Sequence, residues 1–218
     1  MGMITKLEAV NQMLLVSGEN LVTDLLESSG VDTSIAEVIL EQCSLDVQIR
    51  GMANNMIVKK YFADPTTKYL ILPSIDGDEE GLISAELVSS HYSLDGSLVS
   101  TRIYNNRLWN VTDDTDQWAV NTEYFIQIIS KLKWENLDTP VQRAILSSAM
   151  RKYQIITQGD EASDAYLANQ EAIFTTKGKA ADMNDKKRNI FMAGDAYYRS
   201  RNPYMYDSSM FRYWRTSY

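Results

Sequence analysis

The chain holds one cysteine, Cys43, and one histidine, His91. A single thiol cannot close an internal disulfide, and with one imidazole it cannot complete a zinc site. Cys43 is therefore read as a small core residue on a helix, in keeping with a reducing compartment. No stretch approaches the ~20 apolar residues that span a bilayer. Residues 1–10 lack the apolar run of a signal peptide, so a soluble protein made in the cytoplasm, with no membrane partner, is expected. Positive charge is also scarce: 21 Lys and Arg stand against 29 Asp and Glu, a net charge of −8. A general nucleic-acid binder needs a basic footprint to displace counterions, and this balance argues against one. Glycine-rich phosphate loops and a G-x-S-x-G elbow are missing. No catalytic residue, cofactor site or metal site emerges, and His91 falls on a strand candidate as a structural residue.

What remains is an ordinary globular composition, 44% hydrophobic and 23% charged over 218 residues. It suits one compact domain, or a domain with an appendage. The acidic surplus has two readings, simple solubility or a channel wall past which DNA slides without sticking.

Along the chain, Thr5 and Glu8 form a capping-box pattern. Ile4, Leu7, Val10, Leu14 and Leu15 then recur at helical spacing, and Gly18 is placed to end the helix. A second helix is expected from Asp32–Ser34, with Ser34 and Glu37 as another capping box. Its predicted face is Ile35, Val38, Ile39, Gln42, Cys43, Asp46 and Ile49, and Gln42 and Asp46 interrupt it. From Met56 to Trp134 β-branched and aromatic residues alternate with turn signals. Strands are expected at Lys68–Leu72, Leu82–His91, Thr101–Tyr104, Arg107–Val111 and Tyr124–Leu132. Asp95-Gly96 and Asn105-Asn106 supply hairpin turns. Thr139 then reads as an N-cap with Pro140 at the first helical position. Gly159 breaks that helix near Gln158, and Asp160 opens a second long one whose half from Lys177 to Arg188 is polar and solvated or partner-facing.

The expected fold class is α+β: an antiparallel helical bundle of about four helices, with an inserted β-rich lobe and an extended C-terminal arm. The boundaries are 1–55 and 139–190 for the two halves of the bundle, 56–138 for the lobe and 191–218 for the arm.

Residues 191–218 stand apart. Nine of them are aromatic, and the segment carries +2 against −10 for the remainder. Tyr, Trp and Arg dominate interface hot spots because they bury large area and still offer hydrogen bonds. Tyr197, Tyr198, Arg199, Arg201, Tyr204, Tyr206, Phe211, Arg212, Tyr213, Trp214, Arg215 and Tyr218 are the candidate partner-binding residues. Folding back on the chain's own bundle and stacking on single-stranded nucleic acid are the competing readings. Two acidic clusters, Asp78, Glu79 and Glu80, then Asp113, Asp114 and Asp116, read as solvated loop charge, and neither has the spacing of a calcium loop.

The stretch Ala9-Val10-Asn11-Gln12-Met13-Leu14, then Ser17-Gly18-Glu19, Val22 and Leu25, resembles the opening of the tail tubular protein A family of short-tailed bacteriophages. That family is the adaptor, or head-to-tail connector, between portal and tail nozzle. Arg50-Gly51 and Asn54-Asn55 are similar too, although Met52 stands where the family usually has tryptophan. The Leu72-Pro73 step, the Tyr104–Asn110 hairpin and the Pro140 helix follow the family's order, so the resemblance spans roughly residues 5–190. It implies a homo-oligomeric ring, a dodecamer, with the lobe facing the nozzle and the helical part and C-terminal segment engaging the portal. Tail fibres sit on the same platform, and double-stranded DNA passes through the bore without specific binding. It further implies a structural virion protein of the tail with no catalytic residues and no cofactor.

The alternative is a tail-associated glycan hydrolase or glycan-binding protein using the acidic loops, with Trp109 and Trp118 near the second loop. The adaptor reading expects cell-wall and capsule cleavage to be undetectable in the wild type and unchanged when Glu79, Glu80, Asp113 and Asp114 become amides. Measurable cleavage lost in that variant selects the hydrolase.

Overall fold

The structure is a computed structural model that describes residues 3–25, 30–72, 81–88 and 99–192. Its elements are α1 (Lys6–Val16), α2 (Val31–Gln48), β1 (Met56–Tyr61), β2 (Leu82–Leu87), β3 (Thr101–Tyr104), β4 (Arg107–Asn110), β5 (Tyr124–Ser130), a 3-10 turn at Trp134–Asn136, α3 (Thr139–Thr157) and α4 (Glu161–Met192). The fold is α+β, as expected. Two compact units are present: residues 3–25, 30–56, 81–83 and 129–186 form a helical one, and residues 57–72, 84–88 and 99–128 a β-rich one.

α1 begins as its sequence dictates. The Thr5 hydroxyl accepts from the Glu8 amide at 3.1 Å, and Glu8 returns the bond to the Thr5 amide at 2.8 Å. Gly18, at φ +72°, lets the Glu19 amide reach back to the Leu14 carbonyl at 3.0 Å. That bond closes a Schellman turn, which a side chain at position 18 would strain. Ala9, Val10, Met13 and Leu14 are buried with Ala36, Ile39, Leu40 and Cys43 of α2 and with Val141, Ile145, Ala149 and Tyr153 of α3. Leu15, expected on the buried face, is exposed. Burial pushes the Cys43 thiol pKa up, as an apolar core position requires.

α2 departs from its expected face and start. It begins at Val31 with Gly30 as N-cap. The Ser34 hydroxyl donates back to the Gly30 carbonyl at 3.2 Å, and Glu37 pairs with Lys6 at 3.4 Å. The Ser34–Glu37 capping box therefore does not form. The buried stripe is Thr33, Ala36, Ile39, Leu40, Cys43, Ser44 and Gln48, while Val38, Asp46 and Ile49 face outward. Polar Ser44 and Gln48 belong to the buried stripe because each has a partner there. α3 starts one residue earlier than expected, with Asp138 as N-cap and Thr139 as its first residue. The Asp138 carboxylate accepts from Asn54 Nδ2 at 2.5 Å instead of capping the helix.

Irregular segments of the helical unit are tied down by side-chain carboxamides. Asn11 of the Ala-Val-Asn stretch donates to the Val22 carbonyl and accepts from the Val22 amide, both at 2.9 Å. Fully buried Gln48 does the same to Leu132, accepting at 2.6 Å and donating at 3.1 Å, and also donates to Ser44 Oγ at 2.9 Å. Fully buried Gln142 accepts from the Ile4 amide at 3.2 Å and donates to the Trp134 carbonyl at 2.8 Å. Asn55 accepts from the Met52 amide and donates to the Gln48 carbonyl, which shapes the turn at Gly51. Gly51 sits at φ +73°, and a Cβ there would lie 3.1 Å from Ile129 Cδ1.

In the β-rich unit, β5 is the middle strand of the sheet β1-β5-β2. It alternates as expected from Tyr124 to Ile128, burying Tyr124, Ile126 and Ile128, but Ile129 is buried too and the strand ends at Ser130, short of the expected Leu132. β3 and β4 form a two-stranded antiparallel hairpin in which Tyr104 faces Arg107. Asn105 and Asn106 both take positive φ, 49° and 57°, as a type I′ turn demands. Lys68–Leu72 is not a strand. Lys68 has φ +62°, and only Tyr69 and Ile71 make single bridges, to Gln117 and Arg107. β2 ends at Leu87, short of the expected strand, and His91 and the Asp95-Gly96 turn lie outside the described residues.

Gln48→Leu keeps the shape and leaves the Leu132 amide and carbonyl buried without partners. A loss of about 2–4 kcal/mol is expected from two orphaned groups, read by urea unfolding of the full chain. A loss below about 1 kcal/mol would mean that water replaces the clamp.

Candidate functional site

α4 runs for 32 residues, about 48 Å at 1.5 Å per residue. None of its described side chains belongs to the main apolar cluster, which α1, α2, α3 and the turn around Trp134 build. It is laid against α3 by polar contacts. Arg151 grips Asp164 with two bonds, Nε to Oδ1 at 2.6 Å and Nη2 to Oδ2 at 3.1 Å. Its Nη1 reaches Glu171 at 3.0 Å, and Ser148 donates to the same carboxylate at 2.5 Å. Leu167 is buried nearby. Further along, Gly178 lets the helices close: a Cβ there would lie 3.0 Å from Ala144 Cβ and 3.3 Å from the Pro140 carbonyl. The order 151–164, 148–171 and 144–178 makes α3 and α4 an antiparallel pair. Asp182 accepts from the Ala53 amide at 2.7 Å.

Each contact has a local cause. Asp160 caps α4 by accepting from the Ser163 amide at 2.8 Å, and hydrogen bonds from Ser163 hold its carboxyl below the usual aspartate range. Arg151 does the same for Asp164, and the two acids raise the guanidinium pKa in return. A planar guanidinium matches two carboxylates in a fixed fork, which a lysine could not do. The inner face of α4 is thus spent on α3. Its outer face presents Tyr166, Ile173 and Met183, more than half exposed.

The arm residues named above, Tyr197 through Tyr218, lie outside the described residues, as do Asp78, Glu79 and Glu80. In the second acidic loop, Asp113 accepts from Asn110 Nδ2 at 2.7 Å, and Asp116 pairs with Arg107 at 3.3 Å. Arg107 also stacks on Tyr69, 3.9 Å from the ring centre. Trp118 gives its indole N–H to the Leu108 carbonyl. No group of three or more His, Cys, Asp or Glu able to hold a metal occurs among the described residues. No helix there is long and apolar enough to cross a membrane. A recess of about 210 Å³ is lined by Lys6, Glu41, Lys131 and Trp134. Glu41 within it accepts from both lysines; burial opposes its charge, and the lysines outweigh burial and lower its pKa. Lys133 and Glu135 also line the recess, so three lysines face two glutamates there.

Sequence reasoning missed Arg151, Gly178 and Gln48. Gly178 was visible as a mid-helix glycine, a residue that costs helix stability and so often marks close packing. Arg151 carried no such mark.

The described residues form a two-unit α+β protein with a long helix tethered by polar contacts. A model of the family described as tail tubular protein matches residues 7–189, and the chain belongs to this family of phage tail structural proteins. It is a component of the virion tail. No curated protein matches the chain.

The depressed Asp164 pKa fixes a sign. Its contribution is complete above the ordinary aspartate value of 3.8 and is lost as pH falls through the lower folded value. Amide protection over residues 161–180 should therefore drop on acidification into that window, before α1 changes. In Arg151→Met protection there should already be low at neutral pH, with no further step from this pair. Equal protection in both proteins at neutral pH would show that Arg151 does not hold α4.

Proposed function

We propose that this tail protein forms a ring that joins the portal to the tail nozzle and lines the DNA exit channel. The observation that carries the reading is the span of the family match, residues 7–189, which takes in α2, α3, all five strands and most of α1 and α4. The dodecameric count follows from the resemblance. The net charge of −8 suits a wall past which DNA slides without being held. In this reading residues 1–55 and 139–190 engage the portal, and 56–138 face the nozzle and, further out, the fibres. The work is mechanical: sealing the portal after packaging and carrying the nozzle.

Residues 191–218 fall beyond the matched span, so their role rests on composition. Tyr204, Phe211, Trp214 and the arginines Arg199, Arg201, Arg212 and Arg215 are suited to an acidic protein surface with aromatic-sized pockets.

Mixed with portal rings, the full chain is expected to co-elute on size exclusion. A chain lacking residues 191–218 is expected to elute alone. Undiminished co-elution of that truncation would remove the docking role of the arm, and no co-elution of the full chain would remove the adaptor reading.

A further inference from the structure

The two arginines of the β3–β4 hairpin sit in the same kind of place. The Arg107 guanidinium lies over the Tyr69 ring, 3.9 Å from its centre, and gives an N–H to Asp116 at 3.3 Å. Arg102 lies over the Trp109 ring, 5.8 Å from its centre. It is exposed, and no ion pair among the described residues includes it. A guanidinium laid on an aromatic ring is held flat, while the donors along its edge keep the fork that fits a carboxylate.

Strand register puts both arginines on one face. Tyr104 is opposite Arg107 and Arg102 opposite Trp109 across the hairpin, and Ile71 bridges to Arg107 on the other side of β4. Opposite residues point to the same side of a sheet, and neighbours along a strand to different sides. Leu70, Leu72 and Leu108 therefore share the inner face, and all three are fully buried. The outer face presents Ile71, Tyr104 and Val111, which are 57%, 55% and 44% exposed. A sheet with one solvated face normally turns polar residues to the water. This one turns out aliphatic and aromatic side chains around two arginines, and Tyr, Trp and Arg are the residues that anchor protein interfaces.

We propose that this outer face docks an acidic segment of a partner protein. Its carboxylate takes at Arg102 the place that Asp116 takes at Arg107, and its apolar side chains cover Ile71, Tyr104 and Val111. Charge selects the occupant. Asp116 balances Arg107, which leaves Arg102 as the charge without a counterpart on the face. The loop acids Asp113 and Asp114 lie past the end of β4, and Asp113 accepts from Asn110, which is buried on the inner side. Residues 191–218 carry +2 and have the wrong sign. The rings argue against a sugar or a nucleic-acid base. The planes of Tyr69 and Trp109 already carry guanidinium groups, so Tyr104 alone is left to stack, and binding by stacking uses successive open rings.

The partner's place rests on the proposed adaptor reading, which sets residues 56–138 against the nozzle. The face supplies the chemistry of that contact. It is one anchor within a wider interface, since a standard one uses roughly 20–30 residues a side.

The test measures binding of the full chain to nozzle protein at low and high salt. Each variant is first checked for unchanged circular dichroism and for co-elution with portal rings. Arg102→Glu and Tyr104→Ser are each expected to weaken nozzle binding about tenfold or more. Arg102→Lys keeps the charge and loses the fork, and a loss of about threefold or more is expected. Salt is expected to weaken the wild type more than Arg102→Glu. Unchanged nozzle binding in Arg102→Glu and Tyr104→Ser would overturn the proposal and leave the adaptor reading standing. A wild type that co-elutes with portal and does not bind nozzle protein would overturn both. Retention of the wild type but not Arg102→Glu on dextran sulfate, with equal nozzle binding, would overturn it in favour of an anionic glycan. Faster amide exchange over residues 73–80 in free Arg102→Glu than in the free wild type would overturn it in favour of the chain's own acidic residues as the cover.

Discussion

A side-chain carboxamide offers the same donor and acceptor as a peptide group, and it can stand in for a strand neighbour where no strand exists. The helical unit depends on this substitution. Asn11 holds Val22, Gln48 holds Leu132, and Gln142 joins Ile4 to Trp134. Each clamp satisfies backbone groups of an irregular, partly buried segment, where a fully buried group left unpaired would cost about 1–3 kcal/mol. Neutral amides do this without the desolvation that a buried carboxylate or ammonium would suffer. The chain can therefore leave α1, enter α2, return from β5 and turn into α3 while keeping one apolar core.

That core stops at three helices. α1, α2 and α3 meet through Val10, Met13, Leu14, Leu40, Cys43, Ile145 and Tyr153. α4 is added by ionic and hydrogen-bonded contacts to Arg151 and Ser148 and by the close approach at Gly178. A helix attached this way keeps its opposite face free for another surface.

Several features were legible in the sequence because their causes are local. Thr5 and Glu8 sit three residues apart on one turn, and the capping box follows from that spacing alone. Gly18 and the Asn105-Asn106 pair mark positive φ, which few other residues tolerate. The alternation in β5 reports one buried face. The face of α2 was not legible: Gln42 and Asp46 interrupt the apparent apolar stripe, and the true one includes Ser44 and Gln48. A buried glutamine looks like a surface residue until its partner, Leu132, is brought beside it from 84 residues away. Lys68–Leu72 misled for a related reason, since its apolar residues pair singly with Gln117 and Arg107 rather than with a continuous strand.

The sequence by itself determined the α+β class, the ends of α1, the turn of the β3–β4 hairpin and the likeness to tail tubular proteins, because caps and turn residues act over a few positions; it did not mark β1 as a strand. Only the tertiary structure decided which helix face is inside and that Arg151, with Ser148 and the close approach at Gly178, ties α4 to α3. Those outcomes depend on which distant groups meet, and a polar side chain declares itself buried or exposed only when its partner arrives.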